Sequence, residues 1–491
     1  MKILMVTAEA LPFAKSGGLA DAVSSLSKAL ADNGHEVKVL MPRYYRINKD
    51  KLTLLEGPMG VPTTYGETWT AVYTTDVETS KGNKVNYYFL DCEKYYGRDG
   101  IYGTSSEPDF NDNPTRFSLL AQASFQLCRK LNWYPDIIHS HDWSAALTPV
   151  LLKFYERKKP EFSHTASVFT IHNLGYQGIY NKAHFPATNV EWLYYYSAGF
   201  EYYDNINFLK AGIQSADFIT TVSPTYANEI QTPGMGFTLD SLLRYRKDDL
   251  QGILNGIDTD VWNPETDKYI PKNFSAEKMA GKAACKKALQ ERFGLEINPN
   301  IPVIGMVTRF ADQKGIAEVF APTYGCAYAM CKDMNIQFVV LGSGEKWCEA
   351  EVGSLQSKLP NLRAYFGYSE EISHLIEAGS DFFLMPSKYE PCGSNQVYSM
   401  LYGTLPIVRA TGGLADTVKN YNEANGTGTG FMLNDLTPQS VYDTVGWAVF
   451  AYYNKKDDIK KMQKVAMKQD FTWTKSAKEF EDVYKKALKK I

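Results

Sequence analysis

The chain has 491 residues, with 52 lysines and arginines set against 55 aspartates and glutamates for a formal net charge of −3. That length exceeds one ordinary core and fits two large domains or three small ones, and the near balance of charge argues against nucleic acid or an acidic membrane as partner. Seven cysteines without C-x-x-C spacing argue for reduced thiols rather than disulfides or a zinc site, and with no basic-apolar leader and no run of membrane-spanning length a cytoplasmic location is expected.

Short β-rich runs alternate with longer helical patterns almost throughout, the signature of parallel α/β sheets. The first strand is expected over 3–8, an apolar run, and it leads into K-S-G-G-L-A-D from Lys15 to Asp21. Gly17 and Gly18 free the backbone for positive φ and close ligand approach. The helix that follows, with Leu19, Val23, Leu26 and Leu30 at helical spacing and Gly34 as its C-terminal stop, has N–H groups and a dipole suited to an anion. Further strands of the first half are expected over 37–41, 85–90, 136–140, 166–171, 218–222 and 251–254.

Within this half, His139 and His141 would share one side of a strand, but no third metal ligand is evident. His172 ends a strand and should sit at the sheet rim. The aromatic stretch from Trp192 to Tyr203 offers ring faces for sugars, while some of it must be core. The turn-rich segment N-G-I-D-T-D-V-W-N-P-E-T-D is the best domain boundary, and Asp258 and Asp260 in it read as turn residues rather than a manganese-binding D-x-D.

In the second half, strands are expected over 302–308, 337–341, 362–366, 381–385 and 405–408. The first ends in R-F-A-D-Q-K-G, with Arg309 and Lys314. Beside Lys15, these cations could neutralise a diphosphate leaving group without a metal, each charge-assisted contact contributing roughly 1.5–3 kcal/mol. Singly, each also fits a solvated loop charge. Glu390 follows the strand D-F-F-L-M, in the crevice where α/β proteins bind ligands, and suits sugar hydroxyls, although a helix-start carboxylate is an equal account of it. The octapeptide from Ser16 to Val23 then returns, nearly unchanged, as T-G-G-L-A-D-T-V from Thr411 to Val418. One copy would be an ordinary tight turn. Two copies so far apart suggest two similar halves, each presenting a glycine loop to a shared cleft that holds a diphosphate. A last amphipathic stretch over 474–488 follows, and it could pack on either domain.

Taken in order from Lys2 to Trp473, the motifs K-S-G-G-L-A-D, H-D-W, T-I-H-N-L-G-Y-Q-G, V-S-P-T-Y-A-N-E-I, G-I-L-N-G-I-D, T-R-F-A-D-Q-K-G, Y-E-P-C-G and T-G-G-L-A-D-T-V resemble bacterial glycogen synthase and plant starch synthase. The resemblance implies an α/β GT-B fold with an N-terminal Rossmann-like domain over 1–255, a C-terminal donor-side domain over 256–472, and a helix over 473–491 returning to the first. It implies transfer of glucose from ADP-glucose to the nonreducing end of an α-1,4-glucan such as glycogen, with retention of configuration and no metal or other cofactor. By the same likeness His172, Arg309, Lys314 and Glu390 carry the chemistry: Arg309 and Lys314 clamp the phosphates, Glu390 holds glucose hydroxyls, and His172 lies against the sugar and helps stabilise its positive charge. Lys15, Gly17, Gly18, Asp21, Asp142, Asn255, Tyr368, Thr411, Gly412 and Gly413 line the donor and phosphate site, Gly412 and Gly413 through their N–H groups.

The family usually has Leu after E-P-C-G, where this chain has Ser394-Asn395; Thr238 stands where glycine is common, Ser16 replaces Thr or Val, and position 398 is Tyr. Two rival readings are a silent GT-B-like glucan-binding protein, opposed by intact Lys15, Arg309, Lys314 and Glu390, and a dinucleotide oxidoreductase, opposed by the lack of G-x-G-x-x-G in either loop.

Overall fold

A computed structural model describes residues 1–491. The chain divides into two units, the first formed by Met1–Gly256 with Trp473–Ile491 and the second by Ile257–Thr472.

In unit 1 the strands are β1 (Lys2–Val6), β2 (Glu36–Pro42), β3 (Thr53–Leu54), β4 (Met59–Thr63), β5 (Gly66–Glu78), β6 (Lys84–Asp91), β7 (Ile137–His141), β8 (Ala166–Ile171), β9 (Ile179–Asn181), β10 (Glu201–Tyr202), β11 (Asn205–Asn207), β12 (Phe218–Thr221) and β13 (Leu250–Gly252). The main sheet runs β13-β12-β8-β7-β1-β2-β6-β5-β3, with β4 paired to β5. From β13 to β6 every pairing is parallel, and β7 and β8 are buried residue by residue, as strands covered on both faces are, with His139, Ser140, His141, Ser167 and Thr170 buried among the apolar residues. The β3, β4, β5 edge is antiparallel, so the expectation of parallel sheet throughout is corrected there. In β5 the buried Thr70 and Val72 alternate with exposed or half-buried residues, and an antiparallel strand with one wet face needs no apolar run.

Helix Gly18–Asp32 buries Leu19, Val23, Leu26 and Leu30, and Gly34 follows it at φ +86°. Helix Trp473–Leu488 packs on that helix and on β8 through Trp473, Ala477, Phe480, Val483, Tyr484 and Ala487, a stripe at helical spacing.

In unit 2 the strands β14 (Val303–Phe310), β15 (Gln337–Gly344), β16 (Leu362–Phe366), β17 (Phe382–Met385), β18 (Leu405–Arg409) and β19 (Phe431–Leu433) form a wholly parallel sheet ordered β16-β15-β14-β17-β18-β19. Its core gathers Val303, Ile304, Phe338, Val340, Phe382 and Ile407 between flanking helices. In each sheet the order reverses once: between β1 and β7 in unit 1, and between β14 and β17 in unit 2. Loops leaving the carboxyl ends of strands at such a reversal diverge to opposite faces and leave a crevice for a ligand.

Candidate active site

The unit 2 crevice is built from the segments after β14 and β17. Gly315, at φ +69°, brings the first against the second: a Cβ there would lie 1.9 Å from the Pro386 carbonyl oxygen, so only glycine permits the approach. Lys314 Nζ then reaches Glu390 Oε2 at 2.6 Å, and Ser387 Oγ donates to the same oxygen at 2.9 Å. Glu390 is only 6% exposed, yet its Oε1 accepts nothing from the chain and is not sealed from solvent. One carboxylate oxygen is therefore anchored and the other is open to a hydroxyl. Arg309, at the end of β14, is exposed and its guanidinium takes no partner from the chain, which leaves its donors for an anion. Tyr368 follows β16 and is 76% exposed.

The two glycine octapeptides occupy unlike surroundings. In the second, Thr411, Gly412 and Gly413 are buried and open a helix of only six residues, Gly412–Thr417. Cβ atoms at Gly412 and Gly413 would each lie 2.0 Å from a carbonyl oxygen, of Glu390 and Cys392 respectively. These glycines let the loop pack against E-P-C-G. The N–H of Gly413 donates at 3.1 Å to the carbonyls of both Glu390 and Pro391. The departure at Asn395 is structural: its side chain donates to the Val307 carbonyl and ties the helix Asn395–Leu401 to β14.

The first octapeptide exposes Ser16, Gly17 and Gly18, buries most of the rest and starts a 15-residue helix. Its N–H groups are partly occupied from within the chain: the Glu9 carboxylate, 2% exposed, accepts from the N–H of Ser16, from Ser16 Oγ at 2.7 Å, from the N–H of Gly17 at 3.2 Å and from the Tyr102 hydroxyl at 2.8 Å. A carboxylate of this chain thus holds the N–H groups of Ser16 and Gly17, while the N–H of Gly18 takes no partner from the chain. Lys15 pairs with Asp21 at 2.9 Å, both partly exposed, so these two expected donor-site residues face each other.

Across the unit 1 reversal, Asp142 follows β7 in a left-handed conformation, φ +57°. Its Oδ1 accepts the N–H of His172 at 2.7 Å, and burial pushes its carboxyl up to about 7 against the pull of the His172 and Asn173 amides. His172 ends β8; burial lowers its imidazole to about 3, so it is neutral, and its backbone carbonyl accepts no hydrogen bond from the chain. Asn255 is half-buried in the last residues of unit 1.

His139 holds no open ligand position: its Nδ1 meets Tyr484 Oη at 2.9 Å and its Nε2 meets Thr170 Oγ1 at 2.6 Å. Asp258 accepts the N–H of Asp260 at 3.0 Å, the turn expected, and no three His, Cys, Asp or Glu side chains converge on a point. All seven cysteines are unpaired. The aromatic stretch divides: Tyr195 and Phe200 are buried against Phe185, whereas Trp192, Tyr196 and Tyr203 are exposed. Sequence reasoning missed Glu9, Tyr102 and Ser387, and weighed His141 only as a metal ligand. None lies in a glycine or charge motif, although the H-S-H alternation put His141 on a defined strand face.

Two parallel sheets, each with polar and charged loops at its reversal point, define a GT-B glycosyltransferase. The catalytic domain of starch synthase IV from Arabidopsis thaliana, solved bound to ADP and acarbose, superposes with a TM-score of 0.88 at 30% identity over 99% of each chain; sucrose-phosphate synthase from Thermosynechococcus elongatus shares the fold at 0.61 and 15% identity over 99% of this chain and 98% of that one. Residues 2–245 match the family model of the starch synthase catalytic domain, and residues 288–448 that of glycosyl transferases group 1. Glycogen synthase of Treponema denticola is 58% identical over 100% of this chain and 99% of its own, and glycogen synthase 1 of Geobacter metallireducens 42% over 100% and 97%. The chain belongs to the glycogen synthase family of hexosyltransferases.

Proposed function

We propose that the protein transfers glucose from ADP-glucose to the nonreducing end of an α-1,4-glucan, with retention of configuration and without a metal. The observation that carries this reading is the Lys314–Glu390 pair at the β14/β17 reversal, beside an unpartnered Arg309. The ADP and acarbose bound by the starch synthase IV domain support an adenine nucleotide donor and a sugar-chain acceptor for its relative here.

As the glycosidic bond breaks, negative charge collects on the diphosphate and positive charge on the sugar. Fixed groups already oriented toward each lower the barrier because nothing reorganises during the step. Arg309, with its five donors unengaged, and Lys314 meet the phosphates; Lys314 also holds the Glu390 carboxylate in place, with Oε1 free to accept from glucose hydroxyls. The unpaired carbonyl of His172 faces the developing positive charge. Tyr368 of unit 2, the Thr411-Gly412-Gly413 loop, and Lys15, Gly17, Gly18, Asp21, Asp142 and Asn255 of unit 1 complete the assignment to the donor. The two-carboxylate pattern of retaining hydrolases has no counterpart among the motifs, and position 398 is Tyr where a second glutamate is found in many other retaining enzymes of this fold, so we assign front-face attack within one ion pair.

No helix is long and apolar enough to cross a membrane, and a cytoplasmic location fits seven unpaired cysteines. Initial rates with ADP-glucose and UDP-glucose on a glycogen primer test the donor. The reading requires ADP-glucose to be the faster donor, and a preference for UDP-glucose would overturn it.

A further inference from the structure

Alternate residues of a strand share a face, and β7 stacks His139 and His141 with ring centroids 4.1 Å apart. His139 is fully engaged by Tyr484 and Thr170, and Thr170 continues to Thr220 at 2.6 Å. Phe480 and Tyr484 of the C-terminal helix close the wall behind it. His141 differs. Its Nδ1 lies 3.1 Å from Nε2 of His172, whereas its own Nε2 is sealed from solvent and meets no partner.

The contact between His141 Nδ1 and His172 Nε2 holds one proton, and the two ways of placing it are not equivalent. With the proton on His172, the neutral His141 ring must carry its own on Nε2, a buried donor without an acceptor, which forfeits its hydration for nothing. With the proton on His141 Nδ1, the sealed Nε2 is only a bare lone pair. His172 then carries its proton on Nδ1, the one ring nitrogen of the pair that meets no partner in the chain and is not sealed. A second proton on the pair is disfavoured because burial lowers both imidazoles far below the usual histidine range.

We propose that His141 is a positioning residue that donates its Nδ1–H to His172 and so fixes the ring and its Nδ1–H tautomer, making the His172 side chain a hydrogen-bond donor toward a sugar oxygen. The inference rests on the reading that His172 lies against the transferred sugar, and it adds the atom and the polarity of that contact. His139, locked by Tyr484 and Thr170, holds the His141 ring from behind, so the C-terminal helix contributes to the order of this row.

The test is nitrogen-15 NMR of the histidine-labelled full chain, with His172 assigned by the signals lost in His172→Asn. The expected spectrum has Nδ1 of His172 protonated and Nε2 bare; protonation on Nε2 would overturn the proposal, and this reading needs no variant of His141 to fold. In His141→Leu the His172 proton should move to Nε2 in part or whole, with kcat down about tenfold and KM for ADP-glucose within about threefold. An unchanged tautomer in that variant would also overturn it. Full activity of His172→Asn would instead remove the sugar contact while leaving the tautomer result intact, which separates failure of the underlying reading from failure of the His141 role.

Discussion

Lys314 Nζ and Glu390 Oε2 lie 2.6 Å apart with side chains only 18% and 7% exposed. The pair therefore joins two strand ends while leaving Glu390 Oε1 for substrate. Removing one partner of such a pair leaves a buried charge uncompensated, a change that costs about 3–5 kcal/mol in fully buried cases and less at this partial exposure. Glu390→Ala should lower glucosyl transfer more than ADP affinity, and the loss in Lys314→Ala with Glu390→Ala should be much less than the sum of the single losses. Steady-state kinetics with calorimetric ADP titration checks both; equal loss of transfer and ADP binding would contradict the assignment of Glu390 to glucose.

Arg309 is exposed without a partner in the chain, and Lys15 is paired only with the exposed Asp21. Truncating either leaves the cores untouched, so Arg309→Ala and Lys15→Ala should keep the melting temperature while lowering turnover by roughly 10²–10³. A turnover loss below tenfold would remove the phosphate role.

Glu9 gathers two backbone N–H groups and the Ser16 hydroxyl of the K-S-G-G-L region, together with the Tyr102 hydroxyl, while almost wholly buried. Glu9→Ala orphans them together and should destabilise the protein by about 1–3 kcal/mol. Glu9→Gln, which keeps one acceptor oxygen, should do less harm. Urea unfolding measures both, and equal stability of the alanine variant and the parent would contradict the anchoring role.

The histidine row and Asp142 set opposite pH trends. Burial lowers His139 and His172 to about 3 from 6.5, and His141 falls in the same direction; the unfolded chain then binds protons that the folded chain refuses, and stability is lost as pH falls from 6.5. Asp142, raised from 3.8 to about 7, keeps a proton in the folded state that the unfolded chain has released, so its contribution is lost as pH rises through that range. Three histidines outweigh one aspartate between these limits. Stability should fall on acidification from 6.5 toward 4, and Asp142→Asn, which deletes the opposing group, should fall more steeply. Denaturation midpoints across that window check the slopes, and a shallower slope for the variant would count against the pair of trends.

The parallel cores were legible in the sequence because strands covered on both faces carry unbroken apolar runs; each of the strands so expected in unit 2, from Val303 to Arg409, is present. β5 escaped because a strand with one wet face carries few apolar residues, here Thr70 and Val72 buried between exposed or half-buried neighbours, and resembles a polar loop. At the site, Arg309, Lys314 and Glu390 could be found as polar residues just past apolar strands. Their pairing could not, since Lys314 and Glu390 meet only when β14 and β17 lie side by side. Nor could the repeated octapeptide show which of its N–H groups are engaged within the chain: Gly413 and Gly17 share a motif, and the Glu390 carbonyl takes the N–H of one and the Glu9 carboxylate that of the other. Local sequence states which donors exist, and the long-range fold decides which stay free.

The most direct test of the account is incorporation of radiolabelled glucose from ADP-glucose into glycogen by the purified protein in the presence of EDTA. The account predicts sustained incorporation, with the label at nonreducing ends in α-linkage and released as labelled maltose by an exo-acting amylase. Loss of incorporation with the chelator, or binding of glycogen with no transfer of label at all, would contradict it.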